Sequence, residues 1–287
     1  QNIITGEGFP NPNPIVANQW GELPEGRIWG HTAGIDIDPT DGHIWAYERC
    51  GAGGGGAPAT SFAGGGAASG SVNCDSNSVG PIFKFDRNTG EVLANFGAGI
   101  FVTPHGIHAD NEGNVWVTDF IANASGTKGQ QVHKFSADGE LLMSLGIAGQ
   151  SGDDNTHFNQ PNDVIVSADG SIFVSDGHSG QGMTTVAAIE EGRQAGQTGR
   201  IMKFAADGSF IKQWGRLGTA HGEFRTPHAM EIDSQGRLWV VDRGNHRLEI
   251  FDQEGNYLES RYSFSRVSGI FITDDDMVYA IDSESGP

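Results

Sequence analysis

Apolar and polar residues alternate over runs of four to six positions along most of the chain, and Asp, Asn or Gly ends each run. This period predicts short strands joined by tight turns rather than helices. Five segments share one layout: "HTAGIDIDPTDGHIWAYER", "TPHGIHADNEGNVWVTDF", "QPNDVIVSADGSIFVSDG", "TPHAMEIDSQGRLWVVDR" and "RVSGIFITDDDMVYAIDS". Each predicts a strand, a turn built on Asp, Asn or Gly, and a β-branched or aromatic strand that ends at an acidic residue. Four of them are followed by a second pair of strands: "IFKFDRNTGEVLANFG", "VHKFSADGELLMSLG", "IMKFAADGSFIKQWG" and "LEIFDQEGNYLESRY". Four short strands per repeat predict a β-propeller. A many-stranded sandwich has no reason to repeat one motif in this way.

The expected fold class is therefore an all-β, six-bladed propeller, incomplete at its C-terminal end, with about four and a half blades in this chain. Residues 29–287 carry blades one to five, the fifth partial. Residues 1–28 form an N-terminal segment in which "NQWGELPEGRIWG" is a candidate ring-closing strand. Only the step from His228 to Ser268 has the length of a bare four-strand repeat, about 40 residues. The other repeats carry insertions, expected as loops: the glycine-rich stretch after Cys50, "IANASGTKGQQ", "GIAGQSGDDNTHF" and "GQGMTTVAAIEEGRQAGQTG". Long insertions on a repeat protein gather at the binding face.

Composition agrees with many turns, since 44 of the 287 residues are Gly. Charge narrows the partners. A formal net charge of −19 repels nucleic acid and anionic lipid, so neither is expected, and no apolar run reaches membrane-span length. A small molecule or a peptide is the expected substrate class. The two cysteines, Cys50 and Cys74, bracket the glycine-rich stretch. A disulfide there fits an oxidising compartment, secreted or periplasmic, and two buried thiols are the other reading.

Stacking the repeats gives columns. Ala33, His105, Asn162, His228 and Ser268 open the innermost strands and should face the central axis. In a six-fold ring, alternate blades lie 120° apart, so His105 and His228 form two corners of a triangle. A third corner would fall in blade six, and no third histidine for it is found in this chain. Three histidines with an open position are a zinc arrangement; polar residues bonded to tunnel water are the plainer reading. A second column follows the terminal acid: Arg49, Phe120, Gly177, Arg243 and Ser283. Arg49 and Arg243 could clamp a carboxylate or steady an oxyanion, or simply pair with Glu48 and Asp242. The acidic column itself, Glu48, Asp119, Asp176, Asp242 and Asp282, recurs in every repeat and reads as architecture.

These residues carry a resemblance. "GNHRLEIF" after "VVDR" resembles the NHL repeat. The stretches "TPHGIHADNEGNVWVTD", "HFNQPNDVIVSADGSIFVSDG", "FIKQWG" and "GEFRTPHAMEID" resemble the peptidyl-α-hydroxyglycine α-amidating lyase domain of peptide-amidating enzymes, from about Ile35 to Asp282. The resemblance implies a six-bladed NHL-type propeller with a catalytic zinc and a structural calcium. It implies His105 and His228 as zinc ligands, Arg49 and Arg243 as catalytic arginines, and the backbone carbonyls of Ile35 and Ile107 as calcium ligands. The Pro-His-Asp motif that supplies the family's third zinc histidine is absent from this sequence. Where the family has a tyrosine as proposed base, this chain has His178, which can serve as a general base near neutrality.

The expected function is a zinc-dependent carbon–nitrogen lyase. It would cleave an α-hydroxyglycine-type carbinolamide to an amide and glyoxylate. The alternatives are metal-dependent hydrolysis of a lactone or ester on the same fold, or a non-catalytic NHL-type binding module.

Overall fold

The computed structural model describes residues 20–27, 29–32, 34–50, 73–262 and 264–283. Most of the N-terminal segment, Ala33 and the glycine-rich stretch after Cys50 lie outside the described residues. The chain divides into two compact units, residues 19–168 and residues 169–287 together with 1–18.

In the first unit, β1 (Ile35–Ile37), β2 (Ile44–Tyr47), β3 (Ile82–Phe85) and β4 (Val92–Phe96) form one antiparallel sheet in sequence order. A second sheet has the same order: β5 (Pro104–Ala109), β6 (Val115–Asp119), β7 (Gln131–Phe135) and β8 (Leu141–Leu145). β1 and β2 pack on β5, and β9 (Pro161–Val166) packs on β5 and β6. β3 and β6 follow apolar runs and are buried throughout, and β5 nearly so, whereas β1 exposes Ile35 and Ile37. The outermost strands β4 and β8 are partly exposed, and β4 alternates so that one face is in water. Trp45, Phe101 and Phe135 fill the core between these sheets, and Cys50 and Cys74 join it as a disulfide.

The hairpin turns are locked by aspartates. Asp38 accepts from the Trp45 indole at 3.0 Å, and Asp110 from the Trp116 indole at 2.9 Å. A lysine covers each indole face, Lys84 at 5.1 Å and Lys134 at 5.2 Å from the ring centroid. Burial works to raise the Asp38 pKa, but hydrogen bonds from Lys84, Thr40 and Trp45 outweigh it and hold the carboxyl at about 2.

The described N-terminal residues pack on β3. Trp20 and Trp29 lie 5.5 Å and 5.6 Å from the Phe85 ring, and Pro24–Gly26 form a 3-10 turn.

One buried group makes this unit acid-sensitive. His133 on β7 bonds Ser144 through Nδ1 at 2.9 Å and packs edge-on against Phe101. Burial lowers its pKa to about 4 from an ordinary 6.5. Neutral His133 therefore contributes stability that is complete above about pH 6.5 and lost as pH falls toward 4. His133→Gln is expected to flatten the denaturant-midpoint profile across that window. An unchanged slope would remove His133 as its cause.

The second unit repeats the plan. β10 (Ile172–Asp176), β11 (Arg200–Phe204) and β12 (Phe210–Trp214) are antiparallel neighbours. β13 (Pro227–Ile232), β14 (Leu238–Asp242), β15 (Arg247–Phe251) and β16 (Tyr257–Arg261) form a complete four-stranded sheet. β17 (Val267–Ile272) and β18 (Val278–Asp282) form a two-stranded sheet that packs on β13 and β14. Asp233 locks Trp239 at 2.8 Å, as Asp38 and Asp110 do their tryptophans.

The insertion expected as a loop after β10 contains a helix, α1 (Val186–Gln194). Thr185 caps it by accepting from the Ala188 amide. Ile189 and Gly192 face inward, and Gly192 sits so close to Met183 and Leu217 that a larger residue would collide with them.

The acidic column is architectural, as its recurrence suggests, and three of its members tie down the segment ahead of their own sheet's first strand. Asp119 accepts from the amides of Val102 and Thr103, just ahead of its own sheet's first strand. Asp242 does the same for Arg225 and Thr226, and Asp282 for Ser265 and Arg266. Burial pushes the Asp119 carboxyl up to about 7 against these two donors.

Candidate metal and anion site

The candidate residues fall in both units, and each group is built from its own unit. In the first, His105 opens β5 and is buried. Its Nδ1 lies 2.9 Å from the carbonyl of Asn162 on β9. Gly106 permits that approach, because a Cβ there would stand 2.5 Å from the same carbonyl. Thr118 bridges the two strands, accepting from the Gly106 amide at 2.8 Å and donating to the Asn162 carbonyl at 3.0 Å. The Tyr47 hydroxyl donates to the His105 carbonyl. The Phe120 ring meets the His105 ring edge-on at 4.8 Å.

Arg49 reaches this group from the end of β2. Its Nε donates to the Pro104 carbonyl at 2.9 Å, and its guanidinium lies 5.3 Å from the Phe120 centroid. The neighbouring Glu48 pairs with Arg27. Cys50, next to Arg49, is in a left-handed conformation and is joined to Cys74 by a disulfide. Ile35 and Ile107 lie on the first strands β1 and β5 of adjacent sheets.

In the second unit, His228 opens β13, the position that His105 holds on β5. Its Nδ1 lies 2.6 Å from the carbonyl of Ser268 on β17. His178 follows β10 through Gly177, whose φ of 123° and 2.1 Å Cβ approach to the Thr198 carbonyl admit only glycine. The His178 and His228 ring centroids are 5.8 Å apart with planes tilted by 53°. A ring nitrogen of one lies within 4.8 Å of a ring nitrogen of the other.

Arg243 follows β14 and is buried. Its Nη2 lies 2.9 Å from His178 Nε2 and also donates to the Gln181 side-chain carbonyl. The adjacent Asp242 is engaged by Arg247, Asn245 and two backbone amides. Arg225 donates to the carbonyls of Gly180, Gln181 and Gly244 at 3.3, 2.8 and 2.6 Å. It thereby ties the His178–Gln181 turn to the turn that carries Arg243. Burial lowers the Arg225 pKa, against the pull of Asp242.

Two contributors were not singled out from sequence. Gln181 lies in a non-repeating insertion and has no column. Arg225 had a signal, because it occupies the place of Val102 in the otherwise matching "FVTPH" and "FRTPH".

Four-stranded antiparallel sheets, packed through their first strands within each unit, define the β-propeller fold class. Residues 224–251 match the NHL repeat family. The streptogramin B lyase structure shares the fold, with a TM-score of 0.53 at 15% identity, covering 88% of this chain and 63% of that one.

The chain is also similar in sequence to proteins of the peptidyl-α-hydroxyglycine α-amidating lyase type. It is 37% identical over 185 residues to peptidyl-glycine alpha-amidating monooxygenase B of Xenopus laevis, over 60% of this chain and 18% of that protein. It is 29% identical over 193 residues to peptidyl-alpha-hydroxyglycine alpha-amidating lyase 1 of Drosophila melanogaster, over 63% of this chain and 31% of that protein. The chain thus spans less than a third of the length of either relative. Among the described residues, no helix is long and apolar enough to cross a membrane.

Proposed function

We propose that this domain is a zinc-dependent lyase acting on an α-hydroxyglycine-type carbinolamide, with His105 and His228 as zinc ligands. One observation carries the reading. The two histidines hold equivalent repeat positions, and each has its Nδ1 against the carbonyl of the equivalent residue on the following first strand, Asn162 or Ser268. A carbonyl only accepts, so Nδ1 carries a proton, and in the neutral ring Nε2 then carries the lone pair. That is the tautomer and the outer partner of a metal-binding histidine, so the residues fit zinc. Bound there, zinc would act as a Lewis acid toward the substrate hydroxyl.

The chain's own residues account for the remaining demands of the reaction. The hydroxyl loses its proton, the carbon–nitrogen bond breaks, the carbon becomes the aldehyde of glyoxylate, and the leaving amide nitrogen takes a proton. The substrate carboxylate needs a cation, and Arg243, held by Gln181, supplies one. Arg49, fixed by the Pro104 carbonyl and Phe120, is the second. His178 stands where the resemblance places the base. Calcium on the carbonyls of Ile35 and Ile107 belongs to the same proposal. Two carbonyls are a minority of the roughly six to eight oxygens calcium takes, so it enters no step here. A secreted or periplasmic location is proposed on the same terms, and the Cys50–Cys74 disulfide supports it.

The test is elemental analysis of the purified protein together with glyoxylate release from an α-hydroxyglycine peptide. About one zinc per chain and chelator-sensitive, stoichiometric amide and glyoxylate are expected. Zinc-dependent cleavage of a lactone or ester without glyoxylate would transfer the site to a hydrolase. No zinc and no turnover would leave a binding module.

A further inference from the structure

We propose that His178 is a ligand to the same metal as His228, and that Arg243 is the exchangeable occupant of its coordinating nitrogen. This rests on the zinc reading above and replaces the role of base for His178. The separation fits. Two imidazoles on one tetrahedral zinc, with Zn–N of about 2.0–2.1 Å, place their centroids roughly 5 Å apart, and here they are 5.8 Å apart. The planes are tilted by 53°, so the rings are not stacked on each other.

The tautomers fit as well. A guanidinium only donates, so the His178 Nε2 that faces Arg243 Nη2 at 2.9 Å carries a lone pair. His228 has its lone pair on Nε2 because the Ser268 carbonyl takes Nδ1. In the neutral form that a metal requires, both rings therefore offer Nε2 as the ligand atom.

The backbone fits too. His178 enters a 3-10 turn, Ser179–Gly182, directly after the Gly177 bend, and Arg225 pins that turn through the carbonyls of Gly180 and Gln181. The ring is thus carried on an anchored segment, as a ligand must be.

A metal cation and a guanidinium cannot share one lone pair, and their charges repel. Metal binding at Nε2 must release Arg243 from His178 while Gln181 keeps its hold. The freed guanidinium then meets the substrate carboxylate. Metal loading and readiness of the anion clamp become one event.

The experiment measures zinc affinity by competition with a chromophoric chelator, for the unaltered protein and for His178→Ala, His178→Gln, His228→Ala and Arg243→Ala. Loss of affinity in the His178 variants should exceed the roughly 10–100-fold that an outer partner costs. Arg243→Ala should bind zinc more tightly than the unaltered protein, because a competing cation is gone. Cobalt-substituted protein gives a second readout: its visible absorption should change in His178→Gln, which keeps a side chain of similar reach.

Unchanged zinc affinity and an unchanged cobalt spectrum in both His178 variants, with zinc lost in His228→Ala, would overturn this proposal and leave the lyase reading intact. Unchanged affinity in His228→Ala as well would overturn the lyase reading itself. Weaker or equal zinc binding in Arg243→Ala would overturn the exchange. Matching thermal transitions of the metal-free variants confirm that each is folded.

Discussion

Arg243→Ala is expected to lower kcat/KM for an α-hydroxyglycine peptide by roughly 10²–10³, the scale of losing one preorganised charge partner in a water-poor site. Zinc should stay bound. The guanidinium is buried, its backbone amide is fixed to the Thr226 carbonyl at 2.9 Å, and Gln181 orients its side chain. Little reorganisation is then needed when an anion arrives, which is why the expected loss is large. Lysine should restore only part of it, since an ammonium lacks the planar fork that meets both a carboxylate and Gln181. An uncharged substrate analogue without the carboxylate should show a much smaller difference between Arg243 and Arg243→Ala. Steady-state kinetics on the two substrates check this, with zinc content measured in parallel. Equal losses on both would mean that Arg243 supports the fold of the site rather than the anion.

The strands, the turns and the equivalence of His105 with His228 were legible because strand pairing is periodic. A residue at a given repeat position meets the same neighbours each time, so "TPHG" and "TPHA" deliver their histidines to equivalent carbonyls. The acidic column was legible as architecture for the same reason, although not its target. Nothing in Asp119 alone says whether it reaches forward to another blade or back to Val102. What escaped lies off the repeat. Gln181 and α1 belong to one insertion, where no other copy gives a reference. Glu48 was weighed as a partner for Arg49, yet Arg27, from the N-terminal segment, takes it. Such a choice between two cations depends on long-range packing, which a local pattern does not encode. Arg225 was visible as a change from Val102 to arginine, but its use, tying the carbonyls of Gly180 and Gln181 to that of Gly244, was not.

The glycine after His105 is expected to be nearly as sensitive as the groups proposed for catalysis, through stability rather than chemistry. Gly106→Val should destabilise the first unit by roughly 2–4 kcal/mol, the upper range for overpacking a close-packed site. A Cβ at Gly106 would stand 2.5 Å from the Asn162 carbonyl oxygen and 2.7 Å from the Asp163 Cα. These are backbone atoms of β9, so no side-chain rotation can relieve the contact. β5 and β9 must separate. Separation breaks two things at once: the Thr118 bridge and the His105 Nδ1 contact with the Asn162 carbonyl. The His105 tautomer is then no longer fixed, so zinc affinity should fall together with the unfolding midpoint. Gly182→Ala is the matched control, because a Cβ there meets nothing within 4 Å; it should leave both quantities unchanged. Denaturant unfolding and zinc competition on the two variants decide the matter. If Gly106→Val matches Gly182→Ala in stability, the close approach of β5 to β9 is not what seats His105.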